Sequence, residues 1–158
     1  MRGKIYKWLE NYLSDRTQYC YANQTKSSLK NVTCGVPQGS TLGPLLYLIY
    51  MNDLATVVDN LKIFADDTNI FAVSNNANLL ENIGNENLTR FHKWAVANKL
   101  TINTDKTCFT VFNSNRNRNT QATLQINGQD IQHKNSTKYL GITIDNKLEW
   151  KNHISEVY

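Results

Sequence analysis

The 158-residue sequence predicts an α+β fold, with antiparallel strands backed by helices, and three observations lead there. Leu80, Ile83, Leu88, Phe91, Trp94 and Ala95 fall largely at three- and four-residue steps, the spacing of an amphipathic helix over about Ala77–Asn98. Short apolar runs flank turn residues at Asp66-Asp67 and at Asn127-Gly128, the latter a strong hairpin signal. A hydrophobic share of 41% against a charged share of 19% fits a packed domain and excludes a disordered one.

The elements follow in order. Ile5, Leu9, Tyr12 and Leu13 make one apolar face of a first helix. Gln18–Ala22 and Leu29–Cys34 pair as a hairpin around a polar tip. Pro44 to about Val58 reads as a buried helix, with Pro44 in its first turn, where a missing N–H costs nothing. Leu61–Val73 forms the hairpin that carries the two aspartates. The helix over Ala77–Asn98 comes next, weakened in its first half by Gly84. Strands near Thr107–Phe112, Ala122–Ile126 and Tyr139–Ile144 complete the chain, and no internal repeat or linker interrupts it.

A chain of this length suffices for one domain that buries about two-thirds of its unfolded surface. The net charge is +4, and residues 1–30 account for it with Arg2, Lys4, Lys7, Arg16, Lys26 and Lys30 against Glu10 and Asp15. Such a basic stretch suits phosphate backbones through counterion release, or is ordinary solvated surface. Cys20, Cys34 and Cys108 are odd in number with no Cys-x-x-Cys pair, so they read as free or buried thiols of a reducing compartment. No apolar leader is apparent, and Leu45–Met51 is too short to cross a bilayer, which predicts an intracellular protein, nuclear or cytoplasmic, with no membrane partner. The sequons at Asn23, Asn31, Asn87 and Asn135 are then accidents of an asparagine-rich chain. His92, His133 and His153 lack ligand spacing and read as structural or surface residues.

Chemistry concentrates in two segments. Asp66 and Asp67 sit at a tight turn between strand-like runs, where two carboxylates can meet one hard cation. Magnesium binds through one or two carboxylates plus substrate phosphates, although aspartate also favours turns for conformational reasons alone. About twenty residues upstream, both prolines and three of the seven glycines fall within Gly35–Pro44. Gly39 and Gly43 permit positive φ or close backbone approach, and a stiff loop opening onto a helix start can hold an anion or a flat group.

Four ordered blocks then carry a resemblance. Gly35-Val36-Pro37-Gln38-Gly39-Ser40-Thr41-Leu42-Gly43-Pro44-Leu45-Leu46, followed by Asn52-Asp53-Leu54 and Phe64-Ala65-Asp66-Asp67-Thr68, resembles the palm of a reverse transcriptase of the non-LTR retrotransposon type. Trp94, Asn98-Lys99-Leu100, Asn103 and Lys106-Thr107 resemble that family's next block. Lys138-Tyr139-Leu140-Gly141-Ile142, with Asp145, Trp150 and His153-Ile154, resembles the block that closes the palm. The start, from Trp8-Leu9 through Ser14, Arg16 and Gln18, is similar to the entry ahead of the Pro-Gln-Gly loop.

The resemblance implies an RNA-directed DNA polymerase with a two-ion magnesium site, an RNA template, a DNA primer and deoxynucleotide triphosphates. It implies Asp66 as a direct metal ligand and Asp67 as a second or supporting carboxylate. Pro37, Gln38, Gly39 and Ser40 would line the template and nucleotide pocket, with Ser40 satisfying the helix start. Phe64 would lie beside the primer end or be a core aromatic, and Lys106 would neutralise or protonate departing pyrophosphate or be a solvated surface charge. Arg116 and Arg118 could touch phosphate or belong to a hairpin connection, and Asp53 reads as a helix-end residue.

By the same resemblance residues 1–158 are one partial domain, a palm without fingers or its first catalytic strand, with a thumb beginning at about residue 146. The family's third metal-binding aspartate would come from that earlier strand, supplied by an upstream segment of a longer polyprotein. Losing one member of a catalytic unit costs about 10⁴- to 10⁶-fold in turnover, so this chain alone is expected to be inactive. It is also expected to aggregate through an uncovered sheet edge. The alternatives are a non-catalytic relic with residual nucleic-acid binding, and an unrelated magnesium-dependent domain whose Asp-Asp turn is coincidental.

Overall fold

Helix α1 (Lys4–Leu13) forms where the apolar spacing predicts it, and Trp8 and Tyr12, one turn apart, stack with ring centroids 5.7 Å apart. The computed structural model from which these positions are taken describes residues 2–113 and 122–158, so Arg116 and Arg118 lie outside the described residues. Two units arise in the chain, Met1–Asn52 and Asp53–Tyr158.

In the first unit α1 leads into a nested hairpin. Strand β1 (Thr17–Gln18) pairs with β4 (Lys30–Asn31), and β2 (Tyr21–Ala22) pairs with β3 (Thr25–Lys26), both antiparallel. Asn23 and Gln24 close the tip with φ of 48° and 61°, the two left-handed residues that a primed hairpin turn requires. Between the ladders Ser27 N–H donates to the Cys20 carbonyl and Cys20 N–H to Ser27 Oγ, both at 2.9 Å. Helix α2 (Gly43–Met51) ends the unit.

Here the structure corrects the sequence reading. The predicted single helix from Pro44 to Val58 is two, α2 and α3 (Leu54–Val57), interrupted at Asn52-Asp53. Past the break the Asp53 carbonyl takes both the N–H and the hydroxyl of Thr56, at 2.9 and 2.7 Å. Only Leu54 in α3 and Gly43 and Met51 in α2 are buried, whereas Leu45, Leu48 and Ile49 are exposed. A helix apolar on every side has no polar stripe to mark which face the chain itself covers.

The second unit begins with α3 and the hairpin β5 (Leu61–Phe64) with β6 (Asp67–Ile70), then the long helix α4 (Ala77–Ala97). Asn76 caps α4, its side-chain oxygen accepting the N–H of Asn78 and Leu79. The other end closes as a Schellman motif: Leu100 N–H reaches the Ala95 carbonyl and Lys99 N–H that of Val96, with Lys99 at φ 58°. Strands β7 (Cys108–Phe109), β8 (Gln125–Ile126), β9 (Gln129–Asp130) and β10 (Gln132–His133) follow, then β11 (Ser136–Tyr139), β12 (Ile142–Asp145) and helix α5 (Lys151–Val157).

Every sheet among the described residues has two strands, which are all of two to four residues. Antiparallel pairing holds as expected except for β7 and β10, which run parallel, with Cys108 opposite Gln132. Asn127-Gly128 turns β8 into β9 as predicted, with φ of 52° and 76°. The predicted strand Tyr139–Ile144 is instead the β11–β12 hairpin, because Leu140-Gly141 adopts φ of 49° and 84° and reverses the chain. Helix α5 is tied to it: Thr143 donates its N–H to His153 Nδ1 and its hydroxyl to Glu156.

The core of this unit lies between α4 and β8–β9, where Leu88, Ile126 and Ile131 are buried with Ile70, Ile102, Phe109 and Leu124 against them. Gly84 belongs to that contact and not to a weak stretch of helix, since a Cβ there would meet Leu124 Cδ2 at 2.8 Å. Asn85 seals the edge of β8, donating to the Thr123 carbonyl and accepting Gln125 N–H, both at 2.9 Å. Asn87 is buried at 4% exposure, which closes that sequon to a glycan in the folded chain. Among the described residues no helix is long and apolar enough to cross a membrane.

Two stability predictions follow from the ends of α4 and the start of α3. Lys99→Gly removes the left-handed penalty of a side chain at φ 58° and should raise unfolding free energy by about 0.5–1 kcal/mol in a urea titration. Trp94 is buried and its Nε1–H donates to Asp53 Oδ1 at 3.1 Å. Asp53→Ala removes that acceptor and should cost about 1–3 kcal/mol, whereas Asp53→Asn, which keeps an acceptor, should cost less.

Candidate functional site

The β5–β6 ladder pairs Leu61 with Ile70, Lys62 with Asn69, Ile63 with Thr68 and Phe64 with Asp67. That register leaves Ala65 and Asp66 as a two-residue turn. Opposed residues share a face, so Phe64 and Asp67 stand with Lys62 and Asn69 on one side. Leu61 and Ile70 take the other, and Ile70 packs on the core. The hairpin is thus anchored at its base and exposed at its tip.

Asp66 and Asp67 are both exposed, and neither forms an ion pair among the described residues. Ala65 holds φ 50°, a left-handed conformation that costs a residue with a Cβ roughly 1–2 kcal/mol. Phe64 is 61% exposed, which rules out the core-aromatic reading. Two adjacent, solvent-open carboxylates match the oxygen donors that magnesium takes from a protein when substrate phosphates complete its shell. Among the described residues no third His, Cys, Asp or Glu joins them.

The Pro-Gln-Gly loop lies in the first unit and is held from below. Ser40 Oγ donates to the Pro37 carbonyl at 2.7 Å and accepts the Gly43 N–H at 3.0 Å, where α2 starts. Gly39 has φ 77° with open space around it, while Gly43 is needed for contact: a Cβ there would meet Ser40 Oγ at 3.0 Å and the Pro37 carbonyl at 3.3 Å. Pro37 and Ser40 are half-buried, and Gln38 and Gly39 between them face solvent.

Sequence reasoning gave Arg16 no part in this loop. Its guanidinium donates to the Leu13 carbonyl from Nε at 3.0 Å and to the carbonyls of Cys34 and Gly35 from the other arm. One side chain therefore ties the end of α1 to the root of the loop. The available signal was its place in the block Ser14-x-Arg16-x-Gln18, since an arginine fork suits several acceptors at once.

Lys106 sits apart from both segments in sequence, in an exposed turn organised by Asn103. Asn103 Oδ1 accepts Lys106 N–H at 3.2 Å, and its carbonyl accepts Thr107 N–H and Oγ–H. The turn fixes the lysine backbone and leaves its side chain in water. His133 lies against Phe109 with ring centroids 5.0 Å apart, and His153 accepts from Thr143, so both have structural contacts.

The chain belongs to the reverse transcriptase family, of the non-LTR retrotransposon type: residues 2–144 match the family described as reverse transcriptase (RNA-dependent DNA polymerase). It is similar to the RNA-directed DNA polymerase from mobile element jockey of Drosophila melanogaster, 34% identical over 163 residues, which cover 98% of this chain and 18% of that protein. It is also similar to the retrovirus-related Pol polyprotein from type-1 retrotransposable element R1 of Bradysia coprophila, 31% identical over 150 residues, covering 92% of this chain and 15% of that one. The probable RNA-directed DNA polymerase from transposon X-element of Drosophila melanogaster is 30% identical over 158 residues, with 94% and 17% covered. The chain spans 15–18% of the length of these curated relatives. No solved structure matches it.

Removing the Arg16 fork should loosen the loop. In Arg16→Ala the Ser40 and Gly43 amides should exchange about ten- to a hundredfold faster by hydrogen-exchange mass spectrometry, the effect of losing about 1.4–3 kcal/mol of charged hydrogen bonding. The α4 amides should be unchanged.

Proposed function

We propose that this chain is the second part of a reverse transcriptase palm, one partial domain over residues 1–158 with the thumb beginning at about residue 146, and that it serves RNA-directed DNA synthesis. The observation that carries the reading is the β5–β6 register, which sets Asp66 at the tip and Asp67 beside Phe64 with both carboxylates open. The names of the relatives support it. Asp66 is the direct magnesium ligand and Asp67 the second or supporting one. When bound, a pair of ions supplies charge at the attacking 3′ oxygen and at the departing pyrophosphate.

The remaining residues position substrates. Phe64 offers a flat apolar face to the primer end on the same side as Asp67. Ser40 and Pro37 brace the loop so that Gln38 and Gly39 meet the template and the incoming deoxynucleotide triphosphate. Lys106 neutralises or protonates pyrophosphate as it leaves. An RNA template, a DNA primer, and fingers and first palm strand from a longer polyprotein are the partners, a reading the length of the relatives supports. The free cysteines suit a reducing, intracellular compartment, nuclear or cytoplasmic. A non-catalytic relic with residual nucleic-acid binding is the second reading.

Primer extension on poly(rA)/oligo(dT) with magnesium tests this, with an upstream fingers-palm segment of a relative supplied alongside. Extension should appear with that segment and fall about 10⁴- to 10⁶-fold in Asp66→Ala. Lys106→Ala should slow it by about 10²- to 10⁴-fold, the worth of a proton donor. Extension by Asp66→Ala at the parent rate would sink the assignment. Failure of the parent to extend even with the added segment would favour the relic.

A further inference from the structure

The nested hairpin of the first unit carries a surface that neither the Pro-Gln-Gly loop nor the aspartate turn uses. Between Asp15 and Asp53 the sequence has no acidic residue, while Arg16, Lys26 and Lys30 fall in that span. Residues 17–31 are exposed throughout. Tyr21 stands opposite Lys26 in the β2–β3 ladder, so the two side chains share a face. Lys26 Nζ lies 3.9 Å from the centroid of the Tyr19 ring.

These contacts divide the work between the two tyrosines. Tyr19 takes the ammonium over its π-face, which biases the position of a charge that would otherwise sweep a wide volume. Tyr21 keeps its own ring 68% exposed beside that charge. No residue from 17 to 31 is buried, so packing within the hairpin does not account for the open Tyr21 ring. A cation beside an open aromatic ring, in a stretch empty of carboxylates, fits a polymer that alternates phosphates with flat bases. An acidic peptide would satisfy the ammonium but offers no planar group to the ring. A duplex keeps its bases stacked on each other and offers none either.

We propose that the Tyr19, Tyr21 and Lys26 face of the hairpin is a contact surface for an unpaired nucleic-acid strand, with Tyr21 stacking on a base and Lys26 meeting a neighbouring phosphate. Tyr19 is a positioning residue that acts through Lys26.

The test is fluorescence anisotropy of labelled oligouridylate and oligodeoxythymidylate with the whole chain, in EDTA, so that it is independent of the magnesium site. The parent should bind, and Tyr21→Ala should bind about tenfold more weakly, within the worth of one stacked base. Tyr21→Phe, which keeps the π-face, should bind as the parent does. Lys26→Gln should reduce the slope of log affinity against log salt by about 0.7, one phosphate contact on a single strand. The two oligomers distinguish the strand: equal binding shows that base and phosphate are read, and a preference for oligouridylate adds the 2′-hydroxyl. Far-UV circular dichroism checks the fold of each variant, and if Tyr21→Ala unfolds, the Phe and Gln variants decide. Parent affinity in Tyr21→Ala, an unchanged salt slope in Lys26→Gln, displacement by polyglutamate as readily as by oligonucleotide, or no binding by the parent would each overturn the proposal.

Discussion

The antiparallel register of β5 and β6 is the constraint on which the candidate chemistry depends. A strand alternates its faces, so a one-residue slip of β6 would turn Asp67 toward the face now held by Ile70 and carry Thr68 and Ile70 to the other side. Ile70 prevents that slip by its place against the core of Leu88, Ile126 and Ile131. Those residues are in turn assembled by α4 lying on the β8–β9 hairpin, close enough that residue 84 has no side chain. The position of two surface carboxylates is thereby set by apolar contacts on the opposite face of the hairpin.

Much of this was legible in the sequence. The periodicity from Leu80 to Ala95 located α4 almost to the residue, and Asn127-Gly128 announced its turn, because both rest on local rules that packing then reinforced. Leu140-Gly141 carried the same kind of turn signal and was missed, being read as the middle of an apolar run. Two features depended on what lies across space. The break at Asn52-Asp53 is secured in part by an indole forty-one positions further on, and the exposure of α2 turns on which surfaces the chain itself provides. Neither is encoded in a local pattern.

The site was legible unevenly, for a similar reason. Motif order pointed to Asp66, Asp67 and the Pro37–Ser40 loop, and each of those segments has a backbone that suits the role proposed for it. Phe64 had two readings that only its exposure could separate. Arg16 had none, since its carbonyl partners at Cys34 and Gly35 lie eighteen and nineteen residues away and carry no side-chain signature. Backbone acceptors are invisible to motif reasoning, and the residues that organise loops are often those that find them.

Ala65 gives the aspartate turn a further property. Alanine in the left-handed region stands above its own right-handed and extended wells, so the ladder on either side is what holds it there. The entropy of bringing two carboxylates together is lost when the hairpin folds and is not charged again to each arriving ion. In the role proposed for it, such a tip would be a template formed before its ligands come, its affinity for them set by chemistry more than by reorganisation.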